Sequence, residues 1–176
     1  MKTFSIILPC YNEGKNINNL LNTVTKLKKL YNHLEIVIVE NGSTDESLTE
    51  IKNHTIYKSN SIMLVEIKKN LGYGHGIMSG VSRSTGEYIG WCHADLQNNL
   101  NDVYDAFKKN LIELEETKTI LKGKRINRNI IDNFFTFGMS IITSFLFKYK
   151  LTDINAQPKI FPRKFLTFLK DPPTDF

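Results

Sequence analysis

The sequence predicts an α/β fold: a mainly parallel sheet with helices on both faces. Three observations predict it. Short apolar runs rich in Ile and Val recur along the chain, stretches of helical periodicity separate them, and each run closes in a polar, turn-forming cluster. The 176 residues, 41% hydrophobic and 23% charged, suit one domain with a real core and are too few for two comfortable ones. A single domain over 1–176 is therefore expected.

The elements follow in order. "FSIILPC" is the first strand, stopped by Pro9. "NINNLLNTVTKLKKLY" carries Ile17, Leu20, Leu21, Val24, Leu27 and Leu30 on one helical stripe. "LEIVIVE" is the second strand. In "STDESLTEIKNH", Ser43 and Glu46 have capping-box spacing and predict a helix start. "SIMLVEI" is the third strand, "GYGHGIMSGVSRSTG" a loop and short helix, and "EYIGWC" the fourth strand. "LNDVYDAFKKNLIELEE" is a helix and "TKTILKG" a fifth strand. No repeat or low-complexity linker interrupts the pattern.

Charge is unevenly placed. Residues 118–176 hold eleven Lys/Arg against four Asp/Glu, whereas 1–117 hold twelve against fourteen, and the whole chain carries +5. The basic final third points to a solvated lysine-rich surface or to an anionic partner: phosphates, nucleic acid or anionic lipid. No ordered pattern of basic and aromatic residues marks a nucleic-acid site, so none is expected. Cys10 and Cys92 give no disulfide framework and read as small buried hydrophobes. The chain enters a strand at once, with no leader pattern, and a cytoplasmic location is expected.

In open parallel sheets, ligands bind beyond the carboxyl ends of the strands. Those ends read "PCYNEG", "ENGSTD", "HADLQ" and "KGKR", which gathers Tyr11, Glu13, Glu40, Asn41, His93, Asp95, Gln97, Lys124 and Arg125 on one rim. Each alone has a bland reading as a turn former. Four such ends with carboxylates and bases mixed are harder to dismiss.

These segments, with "NLGYGHGIMSGVSRSTGEYIGWCHADLQ" and "TDINAQPKIFPRKFL", resemble glycosyltransferase family 2, in its dolichyl-phosphate mannose synthase-like branch of polyprenyl-phosphate sugar transferases. The resemblance covers about residues 4–170. It implies a Rossmann-like sheet of the GT-A type and a nucleotide-diphosphate sugar donor. It assigns Pro9, Tyr11 and Glu13 to the base and ribose. Glu40 and Asn41 stand where two acidic residues are usual; Asn41 keeps an acceptor for a base N–H or ribose hydroxyl. The family's D-x-D falls on His93, Ala94 and Asp95. The resemblance makes Asp95 a catalytic residue and the ligand of a divalent metal (Mg2+ or Mn2+), with Gln97 adding an oxygen. Mg2+ needs only one or two carboxylates besides phosphates and water, while the imidazole at His93 tilts the expectation slightly toward Mn2+. Arg125, Lys159 and Arg163 match positions that handle donor or acceptor phosphate, which guanidinium forks suit. Asp153 matches a recurring aspartate that orients a base or caps a turn.

The resemblance implies an inverting, metal-dependent transfer to a polyprenyl phosphate, whose ionised oxygen attacks without a protein base. Transfer to a glycan hydroxyl would need one, with Asp153 as the candidate. A catalytically inactive nucleotide-sugar-binding module is the reading from another class, suggested by His93, Asn41 and the ending "DPPTDF". Resembling sequences continue past that ending, so a short or truncated C-terminus is expected. Residues 133–147, "NFFTFGMSIITSFLF", are uncharged and hold five of the eleven phenylalanines. They fall short of the roughly 20 residues of a membrane span. Within 133–150 the expectation is an interfacial helix on an anionic membrane surface, peripheral on the inner face, with a helix covering the sheet as the alternative.

Overall fold

The computed structural model describes residues 2–95, 99–116, 119–125 and 129–169. Its elements are Phe4–Cys10 (β1), Gly14–Leu30 (α1), Glu35–Asn41 (β2), Ser47–Asn53 (α2), Thr55–Lys58 (α3), Met63–Ile67 (β3), Tyr73–Arg83 (α4), Tyr88–Trp91 (β4), Leu100–Lys109 (α5), Leu111–Glu116 (α6), Leu121–Lys122 (β5), Ile130–Phe147 (α7) and Lys159–Pro162 (β6). A 3-10 turn, Arg163–Phe168, follows β6.

The sheet order is β3-β2-β1-β4-β6-β5. β1 lies parallel to β2 and β4, and β2 parallel to β3. The chain runs outward from β1 to β3, then returns to start β4 on the other side of β1. That reversal is the topological switch point, where carboxyl-end loops diverge and leave a crevice. β6 is antiparallel to both β4 and β5 and sits between them. It was not among the expected strands, and it sends Gln157 and Lys159 to the carboxyl rim from the opposite chain direction.

Side chains alternate across the sheet, as the strand period requires. Ile6, Leu8, Ile36 and Ile38 meet Leu20, Leu21 and Val24 of α1 and Val103 and Phe107 of α5 in one core cluster. Ile7, Val37, Val39 and Ile89 meet Ile77 and Val81 of α4 in the other. Helices therefore cover both faces, as predicted. Each fully buried aliphatic side chain stabilises the fold by about 1.5–3 kcal/mol relative to its exposed state. α4 starts inside the glycine run rather than after it. Small residues let it lie close on the sheet: a Cβ added at Gly80 would meet Ile7 Cγ2 at 2.5 Å.

The capping expectation at Ser43 and Glu46 is corrected. α2 begins at Ser47, and Glu46 makes no side-chain cap. Ser43 instead accepts from Asn12 N at 3.0 Å, and Asn12 Oδ1 accepts from Thr44 N at 2.8 Å. Asp45 accepts from Gly14 N at 2.9 Å, and Ser47 Oγ accepts from Glu13 N at 2.9 Å. The two polar loops that end β1 and β2 are zipped together. This supplies partners for the amides at the start of α1, which its own backbone cannot satisfy.

α7 forms over the apolar segment, with its sides reversed relative to a core helix. Its polar strip faces the protein: Ser144 Oγ accepts from Leu151 N at 2.8 Å, and Ser140 Oγ accepts from Asp153 N at 3.3 Å. Phe134 and Phe145 are 72% and 83% exposed. The alternative of a helix that buries these rings against the sheet is thereby overturned. Among the described residues, no helix is long and apolar enough to cross a membrane.

Candidate active site

Parallel alignment of β1, β2 and β4 puts their carboxyl ends at one edge, with Cys10 level with Glu40 and Ile7 with Trp91. Pro9 is buried in β1. Tyr11 is 44% exposed beside it, and Glu13, half-buried, accepts from the Asn16 amide at 3.0 Å. Glu40 is buried and its carboxylate accepts from Ser43 N at 2.6 Å. Asn41 is buried, donating to Gly72 O at 3.1 Å, while its Oδ1 has no hydrogen-bond partner among the described residues. Gly76 of α4 faces that amide, and a Cβ there would come within 3.1 Å of Nδ2. The α4 glycines therefore make room for the end of β2.

The segment after β4 carries His93, exposed, and Asp95, half-buried. Gln97 lies outside the described residues. From the β6 side, Gln157 donates to His93 Nε2 at 3.0 Å and to Tyr73 Oη at 2.6 Å, and the His93 and Tyr73 rings stack with centroids 5.0 Å apart. Burial pushes the Tyr73 phenol up to about 12, partly offset by the hydrogen bond from Gln157. Cys10 and Cys92 are free and buried, and burial pushes each thiol up to about 12.

A cationic group stands beside this cluster. Arg125 grips Asp153: Nε donates to Oδ1 at 2.8 Å, Nη2 donates to the same oxygen, and the Arg125 backbone N–H donates to Oδ2 at 3.1 Å. Burial works to raise the Asp153 pKa. The hydrogen bonds from Arg125, with the charges of Arg125 and Lys122, outweigh it and hold the carboxyl below its ordinary value. A carboxylate so held is a poor proton acceptor, which weakens the general-base expectation for Asp153. Lys122 donates to the carbonyls of Thr152 and Asp153. Lys159, level with Trp91 and above its ring at 5.7 Å, has its pKa lowered by burial and then by the charges of Lys122 and Arg125. A groove of about 710 Å³ runs from Lys122, Lys124 and Arg125 along Phe137 and Ile141 of α7 to Lys150 and Leu151.

Arg163 is a correction. β6 runs antiparallel to β4, so Tyr88 pairs with Pro162 and Arg163 falls at the opposite end of the sheet. There it donates to Gly86 O at 2.6 Å and Ser84 Oγ at 2.8 Å, a structural anchor far from the carboxyl rim. Sequence reasoning missed Gln157 and Tyr73. Their signal was present in "QPK" and "GYG", but it becomes legible only once β6 is known to pair antiparallel with β4.

Among the described residues, no group of three or more His, Cys, Asp or Glu is arranged to hold a metal ion. Asp95 alone, with a donor's diphosphate completing the set, still fits a hard divalent cation, which takes few protein ligands when phosphates are present. His93 Nε2 is already engaged by Gln157.

The open α/β sheet, with its switch point beside carboxylates, an imidazole and a lysine–arginine cluster, is a fold of the GT-A type. The model of the Glycosyl transferase family 2 matches residues 5–163, and the chain belongs to that family. It is 26% identical over 125 residues to an undecaprenyl-phosphate 4-deoxy-4-formamido-L-arabinose transferase of Proteus mirabilis, covering 70% of this chain and 37% of that protein. It is 28% identical over 126 residues to a dodecaprenyl-phosphate galacturonate synthase of Rhizobium johnstonii, covering 70% and 36%. The chain thus spans little more than a third of the length of these curated relatives. Among solved structures, it resembles a mannosyltransferase of Pyrobaculum calidifontis in complex with GDP-Man and Mn2+, with TM-score 0.68, 21% identity, and 98% and 48% of the two chains covered. A glucosyl-3-phosphoglycerate synthase of Mycobacterium tuberculosis bound to UDP gives TM-score 0.68 at 16% identity, covering 96% and 59%. At these identities the structural likeness speaks for the fold.

Proposed function

We propose that this chain is the catalytic domain of an inverting, metal-dependent glycosyltransferase that moves a sugar from a nucleotide-diphosphate donor to a polyprenyl phosphate. The observation that carries the acceptor is the cationic groove: Lys122, Lys124 and Arg125 line one side with Lys159 nearby, and the other wall is α7, where Phe137 and Ile141 flank the hydroxyls of Thr136, Ser140 and Ser144. Cations facing Phe137 and Ile141, with the exposed phenylalanines of α7 just beyond, suit an amphiphile with a phosphate head better than a neutral glycan. The Arg125–Asp153 pair points the same way, since a carboxylate held below its ordinary pKa is ill suited to deprotonating a sugar hydroxyl. A phosphate oxygen needs no such help.

In this reading Tyr11 and Glu13, with Pro9, flank the base and ribose, and Glu40 and Asn41 lie under them. Asp95 would hold the divalent cation, which when bound neutralises charge on the departing diphosphate. Arg125, kept in place by Asp153, and Lys159 offer fixed positive charge to phosphate oxygens. The same geometry supports peripheral attachment to an anionic membrane. The exposed phenylalanines of α7 would enter the acyl boundary, with Arg125, Lys148 and Lys150 at the head groups. Each base near such a surface contributes about 1 kcal/mol.

A thermal-shift panel of nucleotide sugars with Mg2+ and Mn2+ tests the donor. A ligand present at about 100 times its dissociation constant adds roughly 2.7 kcal/mol of stability. Stabilisation by one nucleotide class with metal supports the proposal, and no response across the panel contradicts it. Binding without transfer to phosphate or glycan acceptors would favour the inactive-module reading.

A further inference from the structure

We propose that Gln157 is a positioning residue that fixes His93 as the Nδ1–H tautomer, so that the imidazole offers the nucleotide sugar an N–H donor rather than a lone pair. The inference rests on the nucleotide-sugar reading for its ligand but not for its geometry. The Gln157 amide nitrogen lies 3.0 Å from His93 Nε2 and 2.6 Å from Tyr73 Oη. An amide NH2 only donates, so a nitrogen that receives it carries no proton. In neutral imidazole the proton then sits on Nδ1. The stacked Tyr73 ring, 5.0 Å away, holds the imidazole plane from the α4 side.

The opposite amide orientation is disfavoured by its own bookkeeping. In this orientation both amide hydrogens have acceptors, and of the amide's atoms Gln157 Oε1 is the one buried without a partner among the described residues. Turned over, the oxygen would face Tyr73 and His93, and both N–H groups would occupy the partnerless position. Orphaned buried N–H groups are rarer and costlier than under-satisfied carbonyl oxygens. The Tyr73 phenol stays neutral at working pH, since burial pushes it up to about 12, and its oxygen remains an acceptor for the amide.

The consequence is chemical. With Nε2 engaged, Nδ1 is the ring nitrogen left for a ligand, two residues before Asp95. An Nδ1–H there suits a phosphate or ribose oxygen and cannot ligate a cation. Gln157, on the segment before β6, thus ties β4 and α4 together around the donor crevice.

Nitrogen-15 correlation spectra of the histidine rings test this on the full chain, with imidazole neutral and the His93 signals assigned by their loss in His93→Phe. The expected result is the Nδ1–H pattern, the tautomer that free histidine disfavours. Gln157→Met should return His93 to the common Nε2–H form. Gln157→Glu, whose carboxylate accepts instead of donating, should enforce Nε2–H or an imidazolium. Calorimetry with UDP and GDP, each with Mg2+, should show about fivefold weaker binding of the accepted nucleotide in Gln157→Met, the scale of one hydrogen bond. An Nε2–H pattern in the unaltered chain, or a tautomer that ignores Gln157→Met, overturns the proposal. The spectra decide this without any turnover, so failure of the glycosyltransferase reading would show separately, as absence of nucleotide binding in the unaltered chain.

Discussion

Replacing Asp153 with Asn separates the two acceptor chemistries. The carboxylate receives three hydrogen bonds from Arg125, two on Oδ1 and one on Oδ2. The Asp153→Asn side chain would keep one acceptor oxygen, so either the guanidinium or the backbone N–H would face an amide NH2. Charge-assisted hydrogen bonds contribute about 1.5–3 kcal/mol. The side chains of Arg125 and Asp153 are 34% and 18% exposed, and solvent screening places the loss at the low end, about 1.5 kcal/mol. For a chain of this size that lowers Tm by roughly 3–6 °C. With a phosphate acceptor, turnover should persist within about tenfold, because losing a positioned cation partner costs about one hydrogen bond. The assay is Tm by scanning fluorimetry alongside steady-state transfer to a polyprenyl phosphate. A kcat reduced by about 10²–10⁴, the scale of a lost general base, with Tm unchanged, would refute the reasoning and restore Asp153 as the base.

Three further outcomes are expected. Asp95→Asn keeps the shape and removes the charge, so metal-dependent stabilisation by a nucleotide sugar should vanish while the circular dichroism spectrum stays unchanged; retained metal dependence would reassign the ligand. The Phe134→Ser, Phe145→Ser double variant should float less with anionic liposomes at low salt than the unaltered chain, and no association of the unaltered chain would remove the interfacial role of α7. Burial pushes Cys10 and Cys92 from an ordinary value near 9 up to about 12, so above about pH 9 the unfolded chain loses protons that the folded one keeps. Stability should therefore be flat with respect to these thiols below about pH 9 and fall above it, by up to about 1.4 kcal/mol per pH unit for each thiol. Melting curves from pH 7 to 10.5 should show a shallower fall in the Cys10→Ala, Cys92→Ala double variant.

The parallel half of the fold was legible because its signals are local. "FSIILPC" and "LEIVIVE" are apolar runs bounded by turn formers, and the α1 stripe has a clean helical period. The antiparallel β6 was not, because "KIFP" is four residues with a proline, and only its pairing with β4 makes it a strand. Arg163 was assigned to phosphate from the resemblance alone, and without β6 nothing in the sequence showed that its antiparallel course carries Arg163 to the opposite end of the sheet. Ser43 misled for a related reason: its hydroxyl has capping spacing, but the nearby Asn12 amide, 31 residues back, takes it instead. For the site, the strand ends pointed to Glu40, Asn41, His93 and Asp95, and the parallel register puts the carboxyl ends of β2 and β4 at the same edge. What those side chains touch depends on Gln157 and Tyr73, and such long-range pairs leave no periodicity to read.

Transfer itself tests the central claim most directly. The chain is incubated with labelled nucleotide-diphosphate sugars, Mg2+ or Mn2+, and a polyprenyl phosphate in mixed micelles, and the organic-soluble label is counted and its anomeric configuration determined. The account predicts a metal-dependent glycolipid from one donor, with anomeric configuration opposite to the donor's, and none from Asp95→Asn. Donor binding with label passing only to glycan hydroxyls, or a glycolipid that retains the donor's configuration, would contradict it.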